Sequence, residues 1–184
     1  QNKGLIDAGY STIVLDDCWA KPESNKSKLT YDPAKFPSGI SGFKAACQAV
    51  NPKVKIGIYS DAGSMTCERY QPGSYGFEKE HLALFDSWGV DMLKYDFCNS
   101  ESSAFTSYKA MGAAVKRLNE SRVGRTPFVF NICEWGSNKP WTWGAEAGGS
   151  SWRATSDVRE SWVGSFGLPG VLGATDVVRN LWMY

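Results

Sequence analysis

Short apolar runs alternate with helical stretches along this chain, and each run ends in a cluster of polar, reactive side chains. The runs are Thr12–Leu15, Val54–Tyr59, Met92–Tyr95, Phe128–Ile132 and a weaker one near Ser151–Thr155. Apolar throughout and rich in β-branched and aromatic residues, they read as strands buried on both faces. Between them, Ser41 reads as the cap of a helix running to Ala49, Tyr75–Trp88 as a second helix, and Ser102–Leu118 as a third. The third places Phe105, Tyr108, Met111, Val115 and Leu118 on one face. Fully buried strands joined by helical crossovers form parallel sheets, which leaves a doubly wound sheet or a (β/α) barrel. The strand ends decide between the two. They carry Asp16-Asp17-Cys18-Trp19, Ser60-Asp61, Lys94-Tyr95-Asp96, Cys133-Glu134-Trp135, and Trp152-Arg153 leading to Asp157. A closed ring gathers such ends into one pocket, whereas an open sheet strings them along an edge with a crevice only at its switch point. The pattern points to a barrel.

Composition narrows the function classes. The 20 Lys and Arg against 19 Asp and Glu leave a net charge of +1, so no nucleic acid or other polyanion is expected as a partner. The longest apolar runs fall far short of the roughly 20 residues that span a bilayer, and no membrane association is expected. Gln1 is not followed by a charged and then apolar leader, so no secretion signal is read at this end. The five Cys are Cys18, Cys47, Cys67, Cys98 and Cys133, an odd count without a CxxC pair, which argues against a zinc site of the usual spacing. Asn25-Lys26-Ser27 and Asn119-Glu120-Ser121 are sugar-acceptor triplets, usable only on the secretory route.

Carboxylates dominate the strand ends: Asp16, Asp17, Asp61, Asp96, Glu134 and Asp157 stand with one Lys (Lys94), one Arg (Arg153) and no His. The single histidine, His81, lies within a predicted helix and reads as an ordinary helix residue. Serine or cysteine triads therefore lack a base, and no glycine-rich phosphate loop is present. Two chemistries remain open. Two carboxylates can act on a glycosidic bond, one as nucleophile and one as protonated acid. Alternatively, Asp16, Asp17 and Asp96 can hold a hard divalent cation. The crowding of Trp19, Trp135, Trp141, Trp143 and Trp152 near the same ends favours the glycosidic reading, because flat rings with one polar edge stack on sugars. Taken singly, each residue also has a plainer role: Asp16-Asp17 and Asp157 as helix caps, the aromatics as packing, Lys94 with Glu134 as an ion pair.

Longer motifs add a resemblance. Leu15-Asp16-Asp17-Cys18-Trp19, Asp32-Pro33 with Lys35-Phe36-Pro37-Ser38-Gly39-Ile40, and Lys55-Ile56-Gly57-Ile58-Tyr59-Ser60-Asp61-Ala62-Gly63 with Thr66-Cys67 come first. Trp88-Gly89-Val90-Asp91 with Leu93-Lys94-Tyr95-Asp96, and then Cys133-Glu134-Trp135-Gly136, follow in order. From about Gly4 to Trp162 this resembles the family 27 glycoside hydrolases, the α-galactosidases and α-N-acetylgalactosaminidases, with fungal and plant secreted members nearest. The resemblance implies a retaining hydrolase of terminal α-galactose, with galactose-containing oligosaccharides or galactosides as substrates and no cofactor or metal. It implies Asp96 as nucleophile, Asp157 as acid/base, and Asp16, Asp17, Tyr59, Lys94, Glu134 and Arg153 as sugar contacts. Glu134 falls where the family meets the second hydroxyl, which implies a preference for galactose over its N-acetylamino counterpart. Lys94, on the same strand face as Asp96, is expected to help keep that nucleophile ionised. The resemblance also implies a Cys67–Cys98 disulfide, and with it an oxidising location, extracellular or lysosome- or vacuole-like. Cys18 matches a cysteine whose partner lies upstream in the family, while Cys47 and Cys133 match no pairing.

The chain departs from the family in extent. A full barrel takes about 250 residues, and the expectation for residues 1–184 is one partial catalytic domain holding about strands two to six of an eight-stranded (β/α) barrel. The family's first strand and its C-terminal β-sandwich are not recognised. Residues from Leu168 onward do not match the family's Gly-Gly-Trp-Asn-Asp-Pro-Asp segment. A catalytically inactive galactose-binding fragment is therefore the alternative reading.

Overall fold

The computed structural model describes residues 4–22 and 25–157. Its frame is one sheet of five parallel strands in sequence order: β1 (Thr12–Leu15), β2 (Lys55–Asp61), β3 (Met92–Asp96), β4 (Val129–Cys133) and β5 (Ser151–Trp152). Helices α1 (Gly39–Val50), α2 (Glu78–Ser87) and α3 (Ala104–Ser121) form the first three crossovers. Among the described residues the sheet is open. Ile13 and Val14 of the outer strand β1 are 44% and 36% exposed, whereas Ile56, Ile58, Leu93, Phe130 and Ile132 on the next three strands are fully covered. Parallel strands need cover on both faces to bury their apolar runs, and within the sheet the exposed large apolar side chains are those of this outer strand.

The core lies between the sheet and α2 and α3. Leu82 and Phe85 of α2, and Tyr108, Met111 and Val115 of α3, are buried. Tyr108 anchors this layer by donating its hydroxyl to the Tyr95 carbonyl at 3.0 Å, with its ring against Tyr95, Phe130 and Trp143. Close approach is enforced at Gly112, where any Cβ would run into the Ala147 carbonyl. The β4–β5 connection uses no α-helix: a 3-10 turn at Pro140–Thr142 delivers Trp143, whose ring meets Phe105 and Tyr108 of α3. One large aromatic ring thus covers the area that a helix face covers elsewhere.

Element boundaries shift for local reasons. The second strand continues two residues beyond Tyr59, because Ser60 and Asp61 pair in register with Tyr95 and Asp96. The first helix begins at Gly39, and Ser41 is not its cap; its hydroxyl donates to the Trp88 carbonyl at 3.1 Å. The second helix is shorter than its pattern, since Tyr75 and Gly76 form a turn, Phe77 is its N-cap and Trp88 its C-cap. The third is capped by Ser103, whose hydroxyl accepts from the Thr106 N–H, and continues to Ser121. The last strand stops at Trp152, although the Arg153 N–H still donates to the Ile132 carbonyl.

His81 is not an ordinary helix residue. It is 2% exposed and stacked on Phe77. Its Nε2 lies 2.7 Å from the Lys26 carbonyl and its Nδ1 lies 2.9 Å from Ser74 Oγ, which in turn lies 2.6 Å from Ser60 Oγ. A carbonyl only accepts, so Nε2 carries a proton, and in the neutral ring that burial favours Nδ1 accepts from Ser74. Burial, opposed by the Lys26 carbonyl bond and by Glu80 and Glu78, holds its pKa below the ordinary value. A lowered folded-state pKa means the unfolded chain binds the proton more readily, so this contribution is complete above about pH 6.5 and is lost as pH falls below it. His81→Gln removes the titration. Its stability relative to the unmutated protein, measured by urea unfolding, is expected to improve steadily from pH 7.5 to pH 5.5; a constant difference refutes the assignment.

Candidate active site

Strand register builds the site. Tyr59, Lys94 and Asn131 are lateral neighbours on β2, β3 and β4, and Asp61, Asp96 and Cys133 form the next row toward the C-terminal ends. Alternation then turns both rows toward one face. In front of them lies a cavity of about 480 Å³, within the range typical of small-molecule sites. Of the residues expected from sequence, Asp16, Asp17, Tyr59, Lys94, Asp96, Arg153 and Asp157 line it.

Lys94 does not contact Asp96 through a hydrogen bond. Its ammonium donates to both oxygens of Asp16, at 2.9 and 2.7 Å, and sits 5.2 Å from the centre of the Tyr59 ring. Asp17 accepts from the Cys18 and Glu68 N–H groups, at 2.7 and 3.2 Å, and so ties the β1 loop to the disulfide loop. Asp96 is 6% exposed and accepts from the Phe97 N–H at 3.0 Å. Burial raises its pKa above the ordinary value, against the opposing pull of that N–H, Lys94, the Tyr59 hydroxyl and Arg153. Lys94 thus favours the ionised form, as its position suggests, but desolvation is the larger effect. At the far wall, Arg153 donates to Asp157 at 2.6 Å, with Asp157 78% exposed and Arg153 24% exposed. Burial lowers the Arg153 pKa, but the hydrogen bonds and charges of Asp157 and Cys133 together outweigh it and hold the guanidinium above its usual value.

Glu134 is placed differently. Its side chain is fully buried, Oε2 accepts from Asn138 N and Nδ2 at 2.7 and 2.8 Å, and Oε1 has no hydrogen-bond partner among the described residues. The carboxylate closes a turn in which Trp135 takes a left-handed φ of 58° and Gly136 one of 80°. Trp135, not the glutamate, lines the cavity.

The disulfide that the resemblance implies is formed and belongs to the site. Cys67 and Cys98 are joined in a disulfide across a separation of 31 residues, and both line the cavity. The Tyr59 hydroxyl donates to Cys67 Sγ at 3.2 Å. Beneath them Asp61, fully buried, accepts from the Gly63 and Cys98 N–H groups at 2.6 and 2.8 Å. Burial nonetheless raises its pKa to about 7. A Cβ at Gly63 would collide with the Cys98 carbonyl, so only glycine lets this loop close on β3. Glu68 and Cys18 complete the lining, brought there by loops whose sequence has no periodicity.

The cation reading is not assembled: Asp16 is paired with Lys94, and Asp17 is committed to backbone N–H groups. The tightest cluster of possible donors among the described residues is Asp61, Cys67, Asp96 and Cys98, but its two sulfurs are bonded to each other and are no thiolates. Cys18, Cys47 and Cys133 are free thiols, and burial raises the Cys133 pKa to about 11.

A parallel β/α sheet with an acidic cavity at its strand ends defines a chain of the β/α class whose sheet curves around a site. The family model described as Alpha galactosidase A (Melibiase_2) matches residues 1–168, and the chain belongs to that family. It is 46% identical over 164 residues to the alpha-galactosidase of Coffea arabica, covering 88% of this chain and 41% of that protein. Among solved structures, alpha-galactosidase I of Mortierella vinacea matches with a TM-score of 0.74 at 35% identity, over 91% of this chain and 41% of that one. The Saccharomyces cerevisiae alpha-galactosidase solved with raffinose matches with a TM-score of 0.74 at 34% identity, over 89% and 35%. The chain therefore spans about two fifths of the length of the curated relatives it matches. Its open five-stranded sheet is that portion of a (β/α) barrel.

Proposed function

We propose that the protein containing this chain is a retaining glycoside hydrolase that releases terminal α-linked galactose from oligosaccharides or galactosides. The observation that carries the proposal is the placing of Asp96 and Asp157 on one cavity whose remaining charged lining, Asp16, Asp17, Lys94 and Arg153, suits a polyhydroxylated ring. Carboxylates accept hydroxyl hydrogen bonds while Lys and Arg only donate, so a sugar answers both kinds at once. Asp96 is the buried, hydrogen-bonded nucleophile. Asp157 is the acid that protonates the leaving oxygen and then the base that activates water. Before substrate binds, Asp157 is tied to Arg153. The mechanism thus requires that pair to part as the sugar arrives, freeing Arg153 for a hydroxyl. The raffinose bound in the yeast relative is of the expected substrate class.

Proton NMR of the first-formed product decides the stereochemistry. Double displacement gives α-galactose first, which then mutarotates; β-galactose appearing first refutes the retaining assignment.

The exposure of Asp157 favours a second reading for residues 1–184 taken alone, namely galactose binding without turnover. At 78% exposure little among the described residues shields the proton that an acid catalyst must keep. Calorimetric titration with galactose beside an assay on a chromogenic α-galactoside separates binding from turnover. The disulfide supports an oxidising location, extracellular or vacuole-like. No helix among the described residues is long and apolar enough to cross a membrane.

A further inference from the structure

The two sugar-acceptor triplets, Asn25-Lys26-Ser27 and Asn119-Glu120-Ser121, have the same pattern in sequence and opposite settings in the fold. Asn119 lies in the last turn of α3 and is half-buried. Both ends of its amide are committed to one residue: Oδ1 accepts from the Phe128 N–H at 2.6 Å and Nδ2 donates to the Phe128 carbonyl at 3.3 Å. This clasp joins the end of α3 to the residue that leads into β4. Ser121 turns away from Asn119 and donates its hydroxyl to the Leu118 carbonyl at 2.7 Å. A sugar on the Asn119 Nδ2 would set a bulky group against the Phe128 backbone and open the clasp.

Asn25 is exposed and its backbone is extended, at φ −107° and ψ 169°, in the loop that the Ala20–Tyr31 bridge closes. Its Oδ1 accepts the Ser27 hydroxyl at 2.9 Å. Lys26, between the two, is the anchor of the loop. Its carbonyl is bound by His81 Nε2 at 2.7 Å, and its ammonium donates to the Tyr75 carbonyl at 2.8 Å. Fixing the middle residue inward leaves Asn25 and Ser27 on the outside, and both are exposed. The Asn25–Ser27 contact spans only two residues, so it is also open to the chain before it folds.

We infer that Asn25 is an N-glycan acceptor and that Asn119 stays unmodified in the folded protein. The co-reactant is an oligosaccharide joined through its anomeric carbon to a lipid diphosphate. The Asn25 Nδ2 forms a bond to that carbon, the carbon–oxygen bond to phosphate breaks, Nδ2 gives up one proton, and the lipid diphosphate leaves with the electron pair. The Ser27 hydroxyl, donating to Oδ1, stabilises the negative charge that gathers on this oxygen as the proton departs. The inference rests on the oxidising location proposed above, because acceptor triplets are used on the same secretory route that forms disulfides.

The test uses the whole protein secreted from a fungal cell. Enzymatic removal of N-glycans in heavy-oxygen water converts a glycosylated Asn to labelled Asp, which peptide mass spectrometry locates. Label is expected at position 25 and not at position 119. Asn25→Gln and Ser27→Ala are each expected to remove one glycan from the intact mass and to leave galactosidase activity unchanged. Asn119→Gln is expected to leave the glycan mass unchanged but to lower the melting temperature, since the longer side chain cannot close the Phe128 clasp. A bare Asn25 in protein whose Cys67–Cys98 disulfide is closed overturns the site. Label at position 119 in active protein overturns the distinction between the two triplets. Cys67 and Cys98 found as free thiols in the same peptide map overturn the oxidising location instead, a separate result.

Discussion

Asp96→Ala is expected to lower kcat of the whole protein by at least about 10⁴-fold, the scale seen when a covalent nucleophile is removed. On the proposed mechanism the variant cannot form the glycosyl-enzyme bond, and Asp157 alone can only assist departure of the leaving group. Folding should survive. Asp96 and Asp61 hold carboxylate oxygens within 4.8 Å of each other in a buried setting, so deleting one relieves desolvation and like-charge repulsion. The melting temperature is therefore expected to hold or rise, as when strained active-site groups are removed. The raised pKa of Asp96 predicts in addition that the acid limb of the kcat/KM profile lies above the ordinary Asp range. Steady-state kinetics beside a thermal melt check both points; turnover within tenfold of the unmutated protein would mean that another carboxylate attacks.

Cys67→Ser with Cys98→Ser is expected to produce the largest loss of stability. Closing a loop of 31 residues contributes about 3 to 4 kcal/mol in the chain-entropy model. For a protein of this size that corresponds to a fall of roughly 10 °C in melting temperature. Activity should fall with it, for two contacts and the chain next to Asp96 depend on the bonded cysteines. The Tyr59 hydroxyl rests on Cys67 Sγ, Asp61 grips the Cys98 N–H, and Cys98 lies two residues beyond Asp96. Asp61 modulates the loss with pH. Its folded-state pKa, raised to about 7, means its proton-linked stability is present at low pH and is shed as pH rises from about 4 through 7. Scanning calorimetry at pH 5 and pH 7.5, with and without the two substitutions, measures this. A melting temperature unchanged on removing the disulfide would show that packing alone holds the loop.

Much of the fold was legible because its signal is local and repeats. Five apolar runs of strand length separated by helical stretches dictate parallel pairing, and every run is a strand of the sheet. Polar residues at the ends of those runs had to converge once the sheet curved, and seven of the eight expected catalytic and sugar-contact residues line one cavity. Helix starts were less legible. Ser38, Ser41 and Ser103 have the same capping chemistry, and the contact that Ser41 makes with Trp88 lies 47 residues away.

Sequence by itself determined the order of the strands, the face on which Tyr59, Lys94 and Asp96 appear, and the family, because a period of two and long contiguous motifs are properties of the chain alone. Tertiary structure decided which groups are paired and which are free. It turned Glu134 inward onto Asn138 and Trp135 outward to the cavity, gave Lys94 to Asp16 and not to Asp96, buried His81 between Ser74 and Lys26, and made Asp61 the clamp beneath the disulfide. Each of these depends on distance and burial between segments far apart in the chain. Hydrogen bonding and desolvation act through space, and residue spacing along a strand has no access to them.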